Sequence, residues 1–131
     1  AMARLAAAGL SVGVNIMPVL PGITDGVGNL DAVARAARQA GARYLRGGAL
    51  FLRPSAQKQF FPFLDREFPQ LAARYRARFA HNAYLRGEYA SAIRERVARI
   101  RARHGLAAAP SDYTPELAEA EDQLLLFDRA E

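Results

Sequence analysis

The side chains best suited to chemistry lie in two glycine- and proline-containing segments in the first half of the chain. Asn15 lies within an apolar run, Asp25 closes a Pro-Gly loop, and Arg46 precedes two consecutive glycines. An asparagine inside a strand can hydrogen-bond either a ligand or the neighbouring backbone, and both interpretations are open. We expect Asp25 to cap the helix that follows the loop, because its carboxylate can accept a free backbone N–H there.

The arginines near the second segment are candidates for contact with an anionic substrate or a nucleic acid. Paired glycines after Arg46 weaken a strand unless another backbone or a ligand comes close, so they predict either a bulge facing a pocket or an edge irregularity. Arg53 lies where this strand should end, a position at which parallel α/β folds bind ligands. Its guanidinium is suited to a phosphate group.

The composition excludes several kinds of site from this chain. It has no cysteine and two histidines, His81 and His104, far apart in 131 residues. Disulfides, thiolate metal sites and protein-held iron–sulfur clusters are therefore excluded, and a histidine-rich metal site is not expected. No apolar run reaches the roughly 18 to 20 residues of a membrane span, so we expect a cytoplasmic protein without a membrane partner.

The first half of the chain predicts a βαβ unit. Residues 11–17 form a β-branched run bounded by glycine and proline, residues 30–40 have helical spacing and end at Gly41, and residues 43–52 form a second strand. This order produces parallel strands with a crossover helix. Two strands make too small a sheet, so we expect further strands upstream.

The second half predicts helices and then a tail. Apolar residues repeat at helical spacing through residues 55–105, and their aromatic stripes are interpreted as core packing. Residues 106–131 are interpreted as a linker, an acidic helix and a docking tail. The predicted domain organisation is therefore 1–54, 55–105 and 106–131.

One ordered series of motifs resembles a known family. Val14-Asn-Ile-Met-Pro-Val-Leu-Pro-Gly-Ile-Thr-Asp25, a later Ala-Gly-Ala-Arg43 turn and Arg53-Pro54 follow one another along the chain. This series resembles the fifth and sixth strands of radical S-adenosylmethionine enzymes, in particular the group related to spore photoproduct lyase, over roughly residues 3–105. The resemblance implies an α/β fold: the last two parallel strands of a partial (β/α)6 TIM-type barrel, followed by a helical C-terminal region.

The resemblance also implies cofactors and a pocket. The complete protein would use S-adenosylmethionine and a 4Fe-4S cluster, but the family's Cys-x-x-x-Cys-x-x-Cys loop is absent here. The chain is therefore not expected to catalyse alone, and its first partner would be the missing N-terminal part of the barrel. The fifth and sixth strands would line the S-adenosylmethionine pocket, with these cofactor-binding residues: Asn15, Ile16, Met17, Pro18, Leu50, Phe51 and Leu52.

Charge is divided unevenly between body and tail. Residues 1–109 hold 17 basic and 6 acidic side chains, whereas residues 110–131 hold 1 and 7. A basic body can attract a polyanion, and Arg94 and Arg101, beside a predicted apolar helix stripe, are candidate nucleic-acid contacts. A solvated helix face is the alternative.

The tail contains a candidate docking peptide. Gln123-Leu-Leu-Leu-Phe127 matches the Gln-Leu-x-Leu-Phe pattern with which bacterial replication and repair proteins bind the DNA polymerase sliding clamp. Gln123, Leu124, Leu126 and Phe127 would make the contacts, or the leucines would instead close a terminal helix.

Three functions follow. The first is the C-terminal portion of a radical S-adenosylmethionine enzyme that acts on DNA or nucleotides. The others are a non-catalytic adaptor for nucleic acid and the sliding clamp, and a (β/α) enzyme whose Pro-Gly loop binds a phosphorylated metabolite.

Overall fold

The computed structural model of the chain describes residues 1–110, which form a mixed α/β fold with two parallel strands and five helices. In chain order the elements are α1 (Met2–Ala7), β1 (Gly13–Val19), α2 (Val27–Gln39), β2 (Tyr44–Ala49), α3 (Pro54–Glu67), α4 (Pro69–Phe79) and α5 (Glu88–Arg103). The predicted βαβ order and the helical second half are both present. Among these described residues, no helix has the length and apolarity needed to cross a membrane.

The two strands pair in parallel with α2 as the crossover. Asn15 lies opposite Arg46, and the register shifts between Ile16 and Val19, where β1 has one more residue than β2. This irregularity contains Pro18, which has no N–H to donate to a ladder. The register shift therefore lies in the first strand, whereas the paired glycines predicted a bulge or an edge irregularity in the second. Strand β2 ends at Ala49, earlier than expected.

Helices α2 and α5 cover one face of the sheet. Leu45 from β2, Ile93 and Val97 from α5, and Ala34 from α2 are buried in one cluster there. Gly47 lets α5 approach, because a Cβ placed on it would lie 2.9 Å from Val97 Cγ2. The first of the paired glycines is therefore explained by helix packing.

A second cluster joins the chain after β2 to α3 and α4. Leu50 and Leu52 are buried there with Leu64, Tyr75 and Phe79, so the aromatic stripes are core, as predicted. Pro69 begins α4, whereas Pro62 lies inside α3 and does not divide it.

The two edges of the sheet differ. Leu45 N–H donates to Ala107 O at 3.0 Å, and Ala107 N–H donates to Arg43 O at 2.8 Å, so the chain after α5 returns along the outer edge of β2. Gly105, with φ +62°, makes the turn. Within residues 1–110, no strand pairs with the other edge of β1.

Candidate functional site

The sheet face opposite α2 and α5 carries the candidate site. Side chains alternate between faces along a strand, so Asn15 and Met17 share this face with Arg46 of β2. All three are exposed, Met17 to 50% of its surface. Parallel sheets are normally covered on both faces. Within residues 1–110, by contrast, the face bearing Asn15, Met17 and Arg46 is open.

Two glycines allow large side chains to lie flat on the open face. A Cβ on Gly13 would lie 2.3 Å from the Tyr44 ring, and a Cβ on Gly48 would lie 3.1 Å from Met17 Cε. Tyr44 can therefore lie over the backbone of Gly13, and Met17 over that of Gly48. A side chain at either glycine position would occupy that space. Tyr44 was not among the predicted site residues. The sequence signal that could have identified it is an aromatic residue at the start of β2 opposite a glycine of β1.

Asn15 and Arg46 supply the polar groups of this face. They lie directly opposite each other in the ladder, and Arg46 Nε–H donates to Ala108 O at 3.3 Å. The Asn15 amide can both donate and accept, whereas the guanidinium only donates. Together they suit a ligand that presents hydroxyl or carboxylate oxygens to an apolar surface.

The residues at the carboxyl ends of the strands divide into exposed and buried sets. Pro18 is exposed, and Phe51 is exposed to 48% of its surface. Phe51 stacks on Tyr84, itself exposed to 49%, with ring centroids 5.6 Å apart. Tyr84 was not predicted, because no local pattern connects it to Phe51 across 33 positions of sequence. The stacked pair offers a flat aromatic surface to solvent.

The side chains of three predicted cofactor residues pack into the two core clusters. Ile16 packs against the cluster beneath α2 and α5, and Leu50 and Leu52 are buried in the second cluster. Leu50 N–H donates to Val19 O at 3.0 Å, and Leu52 N–H donates to Ala83 O at 2.7 Å. Their side chains and these amides therefore hold the fold together and are not presented to a ligand.

The loop after β1 is held by its own hydrogen bonds and by α4. Leu20 N–H donates to Thr24 Oγ1 at 2.8 Å, and Gly22 N–H donates to Asp25 Oδ1 at 2.9 Å. From α4, the Tyr75 hydroxyl donates to Pro21 O at 2.7 Å. These bonds satisfy polar groups of a loop in which Pro21 has no N–H to donate to a regular element.

Asp25 does not cap α2, which corrects the prediction. The N-cap residue is Gly26, which has no side chain that could bond there. The Asp25 carboxylate instead accepts from Gly22 and from the Tyr89 hydroxyl, the latter at 3.0 Å. Its carbonyl also accepts from the Arg96 guanidinium, so this residue ties the loop to α5.

Burial keeps both tyrosines of this region protonated. Desolvation raises the pKa of Tyr75 and of Tyr89, and the negative charge of Asp25 raises both further. For Tyr89 the hydrogen bond to Asp25 adds to the effect. Each hydroxyl therefore remains a donor throughout the physiological pH range.

Several arginines of α5 have partners inside the fold. Arg96 reaches the loop, Arg103 lies 2.9 Å from Asp31, and Arg99 lies 3.9 Å from Glu95. A hydrogen bond from His104, followed by one from Arg103, lowers the pKa of Asp31 despite some desolvation. Arg99 and Arg103 nevertheless remain largely exposed in these pairs.

The predicted nucleic-acid residues do not form one surface. Arg46 lies on the open face, whereas Arg94 and Arg101 belong to α5, which packs on the other face. Arg53 is exposed at the N-cap of α3. The docking residues Gln123, Leu124, Leu126 and Phe127 lie outside the described residues.

Comparisons with known proteins give relatives but no family. No protein-family model matches the chain, and no solved structure matches it significantly. Uncharacterized proteins of Mycobacterium bovis and of two strains of Mycobacterium tuberculosis are each 37% identical to it over 119 residues. The alignment covers 91% of this chain and 34% of each relative. The chain thus spans about a third of the length of the curated relatives it matches.

Proposed function

We propose that this chain forms the last two strands and C-terminal helices of a radical S-adenosylmethionine enzyme similar to spore photoproduct lyase. The observation that carries the proposal is the sheet face bearing Asn15, Met17 and Arg46, which is open while helices cover the other face. In an α/β barrel the helices lie outside and the other strand face points inward. A partial (β/α)6 barrel would enclose the open face.

The sheet edges support a terminal position in such a barrel. Ala107 occupies the outer edge of β2, as expected beside a last strand, while β1 has an edge to which a preceding strand could add. The relatives are long enough to contain further strands, since the aligned region is 34% of their length. Missing strands would also cover the exposed Met17.

The described residues fit S-adenosylmethionine better than they fit an iron–sulfur cluster. Met17 and the stacked pair Phe51 and Tyr84 offer apolar surface for an adenine, and Asn15 offers an amide for a ribose or amino-acid group. The chain has no cysteine, and within residues 1–110 no three acidic or histidine side chains converge as a metal site. The ligands of a 4Fe-4S cluster would thus come from another segment.

In this proposal the chain binds and positions, and the bound cofactors would supply one-electron hydrogen abstraction. Asn15 would orient the cofactor by hydrogen bonding, while Met17 and Phe51 would exclude water from its base. Arg46 is positioned on the same face to receive an anionic group of the substrate. DNA or a nucleotide would provide that anion.

The test uses the longest open reading frame that encodes this chain. Its product, reconstituted anaerobically with iron and sulfide, is expected to hold a 4Fe-4S cluster and to cleave S-adenosylmethionine to 5′-deoxyadenosine. Asn15→Ala should weaken S-adenosylmethionine binding about tenfold, which corresponds to the loss of roughly one hydrogen bond. Arg35→Gln, an exposed change on α2, is the control. A product with no cluster and no cleavage would overturn the proposal.

A nucleic-acid adaptor is the second candidate, favoured by the excess of 17 basic over 6 acidic side chains in residues 1–109. In that case the chain would hold DNA through Arg53, Arg94 and Arg101 and would hold the sliding clamp through its tail. Salt-dependent DNA binding without any S-adenosylmethionine binding would select this function.

A further inference from the structure

A cleft of about 450 Å³ lies between the loop after β1, helix α4 and the beginning of α5. Its walls include Asp25 on the loop side, Arg74 and Arg78 on α4, and Tyr89 on α5. Asn15, Met17 and Arg46 are not part of it, so the cleft is separate from the open sheet face.

The floor of the cleft is apolar. Leu71, Phe79 and Leu85 contribute hydrocarbon surface, and Tyr75 adds a ring. The Tyr75 hydroxyl is already bonded to Pro21 O, so the ring presents its apolar atoms to the cleft. Such a floor suits a flat or hydrocarbon group.

Two arginines line the cleft without a carboxylate partner. Arg74 and Arg78 lie four residues apart and thus on one side of α4. Within residues 1–110, Arg74 makes no hydrogen bond or ion pair, and Arg78 donates to Arg86 O at 3.5 Å. Arg76 between them differs, because it pairs with Asp65 at 2.8 and 2.6 Å. Two guanidinium groups therefore remain available for an anion.

The opposite wall carries an acceptor. The Asp25 carboxylate accepts from Gly22 N–H and from the Tyr89 hydroxyl, one bond to each oxygen. A carboxylate oxygen can accept more than one hydrogen bond, so Asp25 can also receive a ligand N–H or O–H.

We infer that this cleft binds a phosphorylated small molecule with a flat body that carries hydrogen-bond donors, as a nucleoside monophosphate does. Arg74 and Arg78 bind the phosphate, the apolar floor takes the flat ring, and Asp25 accepts from its amino or hydroxyl groups. The assignment is independent of the proposed radical chemistry, because it requires neither iron nor S-adenosylmethionine.

Calorimetric titration of the full 131-residue chain with adenosine monophosphate tests the inference. Saturable binding is expected, with adenosine and inorganic phosphate each at least about tenfold weaker, because each lacks one half of the recognised groups. Arg74→Ala and Arg78→Ala should each weaken binding about tenfold, whereas Arg35→Ala, the same change at an exposed position of α2, should leave binding unchanged.

Absence of saturable binding, or equal weakening by Arg35→Ala and Arg74→Ala, would overturn the inference, since the latter means general attraction to a basic protein. Both cleft arginines are exposed, so their substitution should preserve the thermal unfolding midpoint. Arg74→Lys, which keeps the charge but loses the forked donor geometry, should bind with intermediate affinity.

Discussion

The adjacent glycines of β2 provide the sharpest test of which sheet face is structural and which is free for a ligand. A Cβ on Gly47 would lie 2.9 Å from both Ile16 Cγ1 and Val97 Cγ2. Val97 is buried and β-branched, so it has little freedom to rotate away. Gly47→Ala should therefore overpack the core and cost about 1–3 kcal/mol of the free energy of unfolding.

Gly48→Ala is the matched control, one residue away and on the other face. Its Cβ would lie 3.1 Å from the end of Met17, an exposed and flexible side chain that can move. Both substitutions reduce the entropy of the unfolded chain equally. The difference between their free energies of unfolding therefore reports the packing around each new Cβ. Gly48→Ala should be close to neutral for stability, while displacing Met17 should weaken S-adenosylmethionine binding if the open face holds that cofactor.

Urea unfolding measures the difference. With a slope of about 1–3 kcal/mol per molar urea, Gly47→Ala should lower the midpoint by roughly 1 M relative to Gly48→Ala. If Gly47→Ala were neutral and Gly48→Ala destabilising, the assignment of α5 to the Gly47 face would be refuted. The sheet face that bears Asn15, Met17 and Arg46 would then not be the open one.

Three further predictions concern the loop, the acid stability and the tail. Tyr75→Phe removes the bond to Pro21 O and should cost about 1 kcal/mol, measurable as a lower unfolding midpoint. The folded pKa of Asp31 is lowered, chiefly by His104, so its stabilising contribution is present above the ordinary carboxyl pKa of about 3.9 and is lost as pH falls below it. Asp31→Asn should therefore lower the free energy of unfolding near neutral pH. It should also make the fall of that free energy below the carboxyl pKa less steep, as measured by urea unfolding at a series of pH values. If residues 123–127 are the docking peptide, their deletion should abolish sliding-clamp binding in a surface-binding assay and leave the unfolding midpoint unchanged.

Each of these has a clear contrary result. An unchanged midpoint for the tyrosine variant would mean that the loop does not depend on the bond from α4. Parallel acid-unfolding curves for wild type and Asp31→Asn would contradict the linkage between Asp31 and α5. A tail-deleted chain that still binds the clamp would remove residues 123–127 as the docking peptide.

The local order of elements was predictable from sequence because each signal lies within a few residues. The β-branched run, the helical spacing that ends at Gly41 and the proline at the start of α4 all act through backbone preferences of their own segment. The βαβ order then implied parallel pairing, and the structure has it. Asn15 and Arg46 were identified from strand context and Met17 from the family resemblance, and all three share one exposed face.

Only the tertiary structure determined which residues of distant segments contact one another. Asp25 bonds a tyrosine 64 positions away and does not cap its own helix, and Tyr84 stacks on Phe51 although α3 and α4 separate them in the sequence. Of two identical neighbouring glycines, one admits α5 and the other carries Met17. The sequence by itself determined the elements and their periodic faces, since those depend on local backbone and side-chain preferences. Packing determined which face is buried and which polar groups converge, because such contacts form only when distant segments meet at atomic distances.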